Sequence, residues 1–284
     1  MSTTHILDLG GLLLKTYHGC EDQSVSAADK SVSCWQAALI DFLDKHLLPI
    51  LQTGAAPRQI IAVLDKGNTY RRNLWPAYKQ KRREKARDDA VEQETKELQQ
   101  QAQDLLAYLG VKIMWVPGEE ADDAIALLAQ KLPGDKIIHT VDADLLALVD
   151  EHTQVLRAGK LYAQPALLGV AHSVPYTLVT LNKALVGDSS DGYTGLSGFG
   201  PKAWESLLAT YGEPGLQWLA AIIAADDPAP LQPYTEVDAQ MAKVYSGWPE
   251  VRRGWLLANL HPEACYGSYR TNSGKTVPKR PEWR

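Results

Sequence analysis

The residues with the clearest chemical content are acids that stand where short apolar runs stop. Asp8 follows His5-Ile-Leu, and Asp65 follows Gln59-Ile-Ile-Ala-Val-Leu64. Val111–Val116 leads through Pro117-Gly118 to Glu119, Glu120, Asp122 and Asp123, and Lys136–Val141 leads to Asp142 and Asp144. Asp188 and Asp191 stand just beyond an apolar stretch, Thr177–Val186. Each group has a plain structural explanation available. Acids at a helix start are favoured by the helix dipole, and an Asp after a strand can cap the next turn. Against the plain explanations, acids at a helix C-terminus such as Asp188 and Asp191 oppose the dipole. Several acids at the mouth of one buried helix repel one another unless cations neutralise them. In an extended segment, residues two apart point the same way, so Asp142 and Asp144 could hold a cation between them.

Oxygen donors alone, without a cysteine or histidine cluster, suit Mg²⁺ or Mn²⁺ rather than zinc. The candidates Asp8, Asp65, Glu120, Asp122, Asp123, Asp142, Asp144, Asp188 and Asp191 exceed the needs of one ion. They suffice for two ions roughly 3.5–4 Å apart, the arrangement that stabilises both attacking and leaving oxygens in phosphodiester cleavage.

The cations are distributed as unevenly as the acids. Lys66 to Arg87 holds nine Lys/Arg and one acid, Glu84, so this strip carries +8; the whole chain carries -5, which leaves -13 elsewhere. Within the strip, Arg71, Arg72, Lys79, Lys81, Arg82 and Arg83 are interleaved with Tyr70, Trp75 and Tyr78. That mixture suits a single strand or an unpaired end, combining stacking with phosphate contacts; the alternative is a solvated helix face. A glycine loop, Gly195-Leu-Ser-Gly198-Phe-Gly200, precedes Pro201-Lys202 and lies between two helical stretches. Its glycines allow close backbone approach, and N–H groups at a helix start bind phosphate oxygens. Lys202 opposes the dipole there, which a phosphate contact would explain.

The elements that must position these residues read as alternating strands and helices. Strands are predicted at 5–9, 59–64, 111–116 and 136–141, with a weaker one near 154–156. Helices are predicted at 31–51, 90–109 (stopped by Gly110), 120–132 and 177–186, with another starting at Pro201. Beyond Tyr211 the chain is mixed, helical and Pro-rich, and 266–284 reads as extended. Alternation favours a mostly parallel α/β sheet with helices on both faces, and sites in such sheets form beyond the carboxyl ends of the strands. The 284 residues, 45% of them hydrophobic, suffice for one large domain or two coupled ones. No apolar run reaches the length of a membrane span. The N-terminus lacks the features of a signal peptide. Three cysteines (Cys20, Cys34 and Cys265) without a CxxC pair argue for a reducing cytosol. A cytoplasmic protein with no membrane partner is expected.

These motifs, in this order over about residues 5–210, resemble the 5′-nuclease superfamily, which includes flap endonucleases, the 5′-nuclease domains of bacterial DNA polymerases and the 5′→3′ exonucleases of T-odd phages. Asp8 resembles the first-strand aspartate, though Leu9-Gly10 replaces the usual Gly-Asn after it. Lys15 stands in for an arginine, and His18 matches a frequent basic or aromatic position. Asp65-Lys66-Gly67, Glu120-Ala-Asp-Asp123, Asp142-x-Asp144 and Gly187-Asp188-x-x-Asp191 resemble the acidic motifs. Arg71, Tyr78, Lys79 and Arg82 resemble the phosphate-steering motif. Asp191-Gly-Tyr-x-Gly-x-x-Gly-x-Gly is most similar to the phage branch.

The resemblance implies a PIN-like nuclease domain over 1–176 with a basic helical arch at about 66–104. A helix–hairpin–helix region with a C-terminal extension would occupy 177–284. It implies two Mg²⁺ ions, Mn²⁺ as substitute, and K⁺ on the carbonyls of the glycine turn. Asp8, Asp65, Glu120 and Asp122 would mainly serve the first ion, and Asp142, Asp144, Asp188 and Asp191 the second. Lys79 and Arg82 would grip the scissile phosphate. The partner implied is DNA with 5′ ends, flaps or RNA primers. The expected activity is 5′→3′ exonuclease or flap endonuclease action, in phage replication, recombination or host DNA degradation (the host cytoplasm, if phage-encoded). Two alternatives stand beside it: a PIN-type ribonuclease, and a structure-specific DNA-binding protein that no longer cuts.

Overall fold

In the computed structural model, which describes residues 3–21, 33–67, 69–80, 89–163, 170–171, 174–265 and 269–272, the apolar runs that end in acids become the middle of one sheet. β1 (Thr4–Asp8) passes directly into α1 (Leu9–Glu21). Then come α2 (Cys34–Phe42), a π-helical turn at Leu43–Leu47, α3 (Leu48–Gln52) and β2 (Ile60–Leu64). The π turn precedes Pro49, which has no N–H to continue the ladder; Leu48 N–H reaches back to Leu43 O instead. α4 (Tyr70–Leu74), α5 (Asp89–Tyr108), β3 (Lys112–Trp115), α6 (Ala121–Lys131) and β4 (Lys136–Thr140) follow, then β5 (Thr153–Arg157), β6 (Lys160–Tyr162) and the short pair β7 (Val170–Ala171) and β8 (Val174–Pro175).

The predicted strands therefore form, within a residue or two of their expected ends. The helix α1 was not anticipated. Its Leu9, Leu12, Leu13 and Tyr17 are buried at helical spacing, but Gly10-Gly11 and a solid leucine run conceal that period in the sequence.

The contacts divide the chain into two units. The first comprises Met1–Thr69, Lys85–Ala166 and Leu260–Arg284; the second comprises Tyr70–Glu84 and Leu167–Asn259. The first unit is built on a seven-stranded sheet of order β11-β3-β2-β1-β4-β5-β6, where β11 is Arg270–Thr271. The five central strands are mutually parallel, and β6 and β11 add antiparallel to the two edges. Neither edge strand was expected, because each has three residues or fewer. Leu7, Ile60, Ala62, Leu64 and Ile113 share one core with Leu12, Phe42, Leu98, Ala102 and Leu106 from α1, α2 and α5. The alternate positions Ile6, Ile61, Val63 and Ile138 are buried too, and α6 packs on β1 and β2. Strands covered on both faces explain why they read as unbroken apolar runs.

From β1 the chain adds β2 and β3 on one side, then returns to place β4 and β5 on the other. The order reverses between β1 and β4, so the carboxyl ends of those strands flank a topological switch point.

The second unit is helical, with a core drawn from α7 (Val179–Val186), α8 (Pro201–Ala225), α9 (Ala239–Ser246) and α10 (Trp248–Ala258). α8 is broken at Gly212, where φ is 61°. The stretch read as an arch is distributed over both units. Lys66 and α5 lie in the first, Tyr70 to Gln80 in the second, and 81–88 fall outside the described residues. Leu98, Ala102 and Leu106 bury α5 against the sheet; each fully buried leucine contributes about 1.5–3 kcal/mol. No helix among the described residues is long and apolar enough to cross a membrane.

Candidate active site

Asp8 is the last residue of β1 and the first cap of α1. It lies on the face of Ile6, is only 6% exposed, and its Oδ1 accepts the Gly11 N–H at 3.2 Å. A Cβ on Gly11 would sit 2.5 Å from Asp8 Oδ2, and one on Gly10 would sit 4.0 Å from Asp65 Oδ2. Gly11 thus makes room for the Asp8 carboxylate at the helix mouth, whereas a side chain at Gly10 would only be in ordinary contact with Asp65. Thr140, ending the neighbouring β4, donates its hydroxyl to Asp8 Oδ2 at 2.7 Å and accepts the Asp142 N–H at 2.9 Å. Asp142 Oδ1 in turn accepts the Asp144 N–H at 2.9 Å. From the other side, Asp65 Oδ1 accepts the Ala121 N–H at 2.6 Å, on the N-terminal turn of α6.

Burial pushes the Asp8 carboxyl up from 3.8 to about 6. The Thr140 and Gly11 hydrogen bonds oppose the rise, and the charges of Asp65 and Asp142 add to it. Three strand ends therefore bring their acids close enough to repel, as parallel strands at a switch point allow. Among the described residues no three His, Cys, Asp or Glu side chains converge tightly enough to hold one ion. The fit lies in the donors: hard oxygens, and a buried carboxylate with no cation paired with it among the described residues.

The four acids read together at 120–123 divide by role. Glu120 is buried at the N-cap of α6, and Asp122 is half-buried in its first turn. Asp123 is fully buried; its Oδ2 accepts the Glu120 N–H at 3.1 Å and its Oδ1 the His261 N–H at 2.8 Å. With both oxygens on backbone donors, Asp123 anchors the helix mouth to the returning C-terminal segment.

In the second unit, Gly187–Asp188 and Tyr193–Thr194 pair as a short antiparallel hairpin (β9 and β10) after α7. Asp188 Oδ2 lies 2.7 Å from Lys183 Nζ, and its Oδ1 accepts from Ser190 N and Oγ at 2.8 and 2.6 Å. Burial works against the Asp188 charge, but Lys183 and Ser190 outweigh it and hold the carboxyl below its usual range. Gly195 is needed for close approach, since a Cβ there would meet Leu185 O at 2.2 Å. Gly198, with φ 68°, and Gly200, the cap of α8, face open space, and Lys202 is exposed.

Two residues read as nucleic-acid contacts are buried instead. Arg71 is 2% exposed; its guanidinium donates to Leu257 O (3.0 Å) and Asn259 O (2.7 Å) at the C-terminus of α10, where a cation meets unpaired carbonyls and the negative end of the dipole. Tyr78 is also 2% exposed and donates to Asp191 Oδ2 at 3.1 Å. Lys15 and Lys66 are exposed in the first unit, with Lys66 Nζ 3.9 Å from the Trp115 ring centroid. Lys81, Arg82 and Arg83 lie outside the described residues. Sequence reasoning missed Gly11, Thr140, Lys183 and Ser190. Thr140 carried a faint signal, as the one hydroxyl directly before Val141-Asp142.

The fold is similar to that of solved structures of the bacteriophage T5 enzyme. One, of T5 5′-exonuclease with zinc bound, superposes with a TM-score of 0.67 at 16% identity, covering 93% of this chain and 91% of that one. Another, the T5 D15 flap endonuclease with DNA and metal ions, gives 0.65 over the same shares. At that identity the likeness concerns the fold. Residues 3–171 match the family described as 5′-3′ exonuclease, N-terminal resolvase-like domain. The 5′-3′ exonuclease of Bacillus subtilis (strain 168) is 32% identical over 233 residues, 78% of this chain and 72% of that protein. DNA polymerase I of Treponema pallidum (strain Nichols) is 31% identical over 219 residues, 74% of this chain but only 21% of the polymerase. The chain belongs to the 5′-3′ exonuclease family, within the 5′-nuclease superfamily that its motifs resemble.

Proposed function

We propose that this chain hydrolyses DNA phosphodiester bonds near 5′ ends, as a Mg²⁺-dependent 5′→3′ exonuclease with flap endonuclease activity. The observation that carries the reading is the buried Asp8 carboxylate, pushed up to about 6 with Asp65 and Asp142 repelling it at the switch point of the sheet. A site that gathers several carboxylates around a buried one is suited to cations. Two divalent ions, with Mn²⁺ as substitute, would supply Lewis-acid activation of water and charge neutralisation at the phosphate.

Asp8, Asp65, Glu120, Asp122, Asp142 and Asp144 are the proposed ligands on the first unit, direct or through water. Gly11 and Thr140 fix the Asp8 rotamer, and the Ala121 N–H fixes that of Asp65. Asp123 supports this set without joining it. Asp188 and Asp191 are proposed to act from the second unit, with Lys183 holding Asp188 ionised. Lys79 and Arg82 would neutralise the phosphate, and Lys15, Lys66, Lys81, Arg83 and Lys202 would track the backbone. Gly198 and Gly200 would admit a duplex phosphate. K⁺ at this turn would share the Gly198 carbonyl, which accepts from Lys243 Nζ at 3.1 Å. The setting proposed is cytoplasmic removal of 5′-ended strands or RNA primers in phage replication, recombination or host DNA degradation.

The test is product mapping on end-labelled 5′-flap, nicked and blunt DNA, with and without Mg²⁺, alongside matched RNA. Short 5′ products that need Mg²⁺ and vanish in Asp142→Asn are expected. Cleavage of RNA alone would move the reading to a ribonuclease. Tight flap binding with no product would make the chain a binding protein.

A further inference from the structure

Tyr78 sits in a small core with Tyr193 and Leu257, with Leu74, Trp75 and Ala258 packed around it. Its hydroxyl donates to the carboxylate of Asp191, and Lys79 Nζ lies 4.9 Å from the centroid of its ring. One buried side chain thus touches the second acid of the Gly-Asp-x-x-Asp turn and a cation of the basic strip. The backbone repeats the connection. Lys79 N–H donates to Asp191 O at 2.7 Å, and Trp75 Nε1 to Gly192 O at 3.2 Å. Gly192, with φ 78°, has Ala77 O 2.9 Å from where its Cβ would be. Lys79 itself is held at φ 53°, a left-handed conformation that is unfavourable for a non-glycine residue and persists where the surroundings over-determine it.

We propose that Tyr78 is a positioning residue that fixes the Asp191 carboxylate and the Lys79 ammonium at one separation, its hydroxyl on the anion and its ring face under the cation. This rests on the 5′-nuclease reading and assigns these three residues jointly to the reacting phosphodiester. Stacking of Tyr78 on an unpaired base requires an exposed ring, and this ring is 2% exposed.

Tyr78→Phe tests the assignment, because it keeps the ring, the core and the cation contact and removes only the hydroxyl. On 5′-flap DNA at saturating Mg²⁺, kcat is expected to fall about 5–20-fold, with KM within about twofold and the melting temperature about 3–6 °C lower, as for loss of one hydrogen bond to a charged group. In a double-mutant cycle, adding Tyr78→Phe to Asp191→Asn is expected to change kcat by less than about twofold. An unchanged kcat in Tyr78→Phe overturns the proposal, as does an equal loss with and without Asp191→Asn. A wild-type protein that cuts no 5′-ended DNA overturns the nuclease reading instead, so the two failures are separable.

Discussion

Asp8 and Asp188 are both carboxylates at the ends of buried elements, one in each unit, and their surroundings move them in opposite directions. Burial, reinforced by Asp65 and Asp142, raises Asp8 to about 6, whereas Lys183 and Ser190 overcome burial and hold Asp188 low. The acidic turn of the second unit carries its own cation at 2.7 Å. The rim of the first unit surrounds Asp8 with hydrogen-bond donors and more acids. A carboxylate with its own lysine has a settled shape without any ion. A carboxylate among carboxylates is destabilising until a cation arrives, so the rim is where a divalent ion should change the protein most.

Asp8→Asn should give the largest effect. Cleavage should fall by about 10³-fold or more, as for loss of a charge-stabilising group, and the Mg²⁺-induced rise in melting temperature should vanish. In EDTA the same variant should melt about 2–4 °C higher than wild type, since it sheds a buried charge. If it keeps the Mg²⁺ stabilisation, the contrast between the two regions is broken.

The same contrast has a pH signature. Folding raises the Asp8 pKa from 3.8 to about 6, so in that window the folded state keeps a proton that the unfolded state releases. Metal-free stability should therefore decline as pH rises from about 4 to 6, by at most about 3 kcal/mol at 1.36 kcal/mol per unit. His139, lowered from 6.5 to about 3 mainly by burial, works the other way and loses stability as pH falls below 6.5. Subtracting the Asp8→Asn profile from wild type cancels His139 and leaves the Asp8 slope. Urea unfolding in EDTA across pH 4–7 measures it, and a flat difference would remove the electrostatic argument for the rim.

Asp123 separates support from ligation. Asp123→Ala strips acceptors from the buried Glu120 N–H and the part-buried His261 N–H, at about 1–3 kcal/mol for each donor that loses its partner. A melting temperature lower by roughly 5–12 °C is expected, with Mg²⁺ half-saturation in the folded fraction changed less than about threefold. A large change in half-saturation with little destabilisation would return Asp123 to the ligands.

The strand-end acids were legible because parallel strands in the middle of a sheet are written as solid apolar runs, and the residue after each run must lie on the rim. Arg71 and Tyr78 were legible only as types. Cations interleaved with aromatics look the same whether they meet bases or fill a small core, and nothing near residue 71 signals that its partners are Leu257 and Asn259. The support around Asp8 was equally hidden. Gly11 reads as a weak helix residue and Thr140 as part of a strand, because their roles exist only once β1 and β4 are neighbours. The setting of Trp75 and Tyr78 was hidden for a related reason: their partners, Gly192 and Asp191, come more than a hundred residues later.

The smallest expected effect concerns the glycine turn, where Ser197 N–H donates to Glu250 Oε2 at 3.0 Å. A backbone N–H just before a helix start is a natural donor to a phosphate oxygen, and here a carboxylate of this chain already holds it. Glu250→Gln keeps an acceptor and the size of the side chain but removes the negative charge. Duplex DNA should then bind about 2–4-fold more tightly in low salt, with the gain fading towards about 0.3 M as screening takes over. Cleavage at saturating DNA should be unchanged. Fluorescence anisotropy with a labelled blunt duplex across a salt series reads the effect. An affinity indifferent to Glu250→Gln at every salt concentration would mean that the turn does not meet the duplex. The second unit's self-sufficiency would then end at the Lys183–Asp188 pair and not reach its glycines.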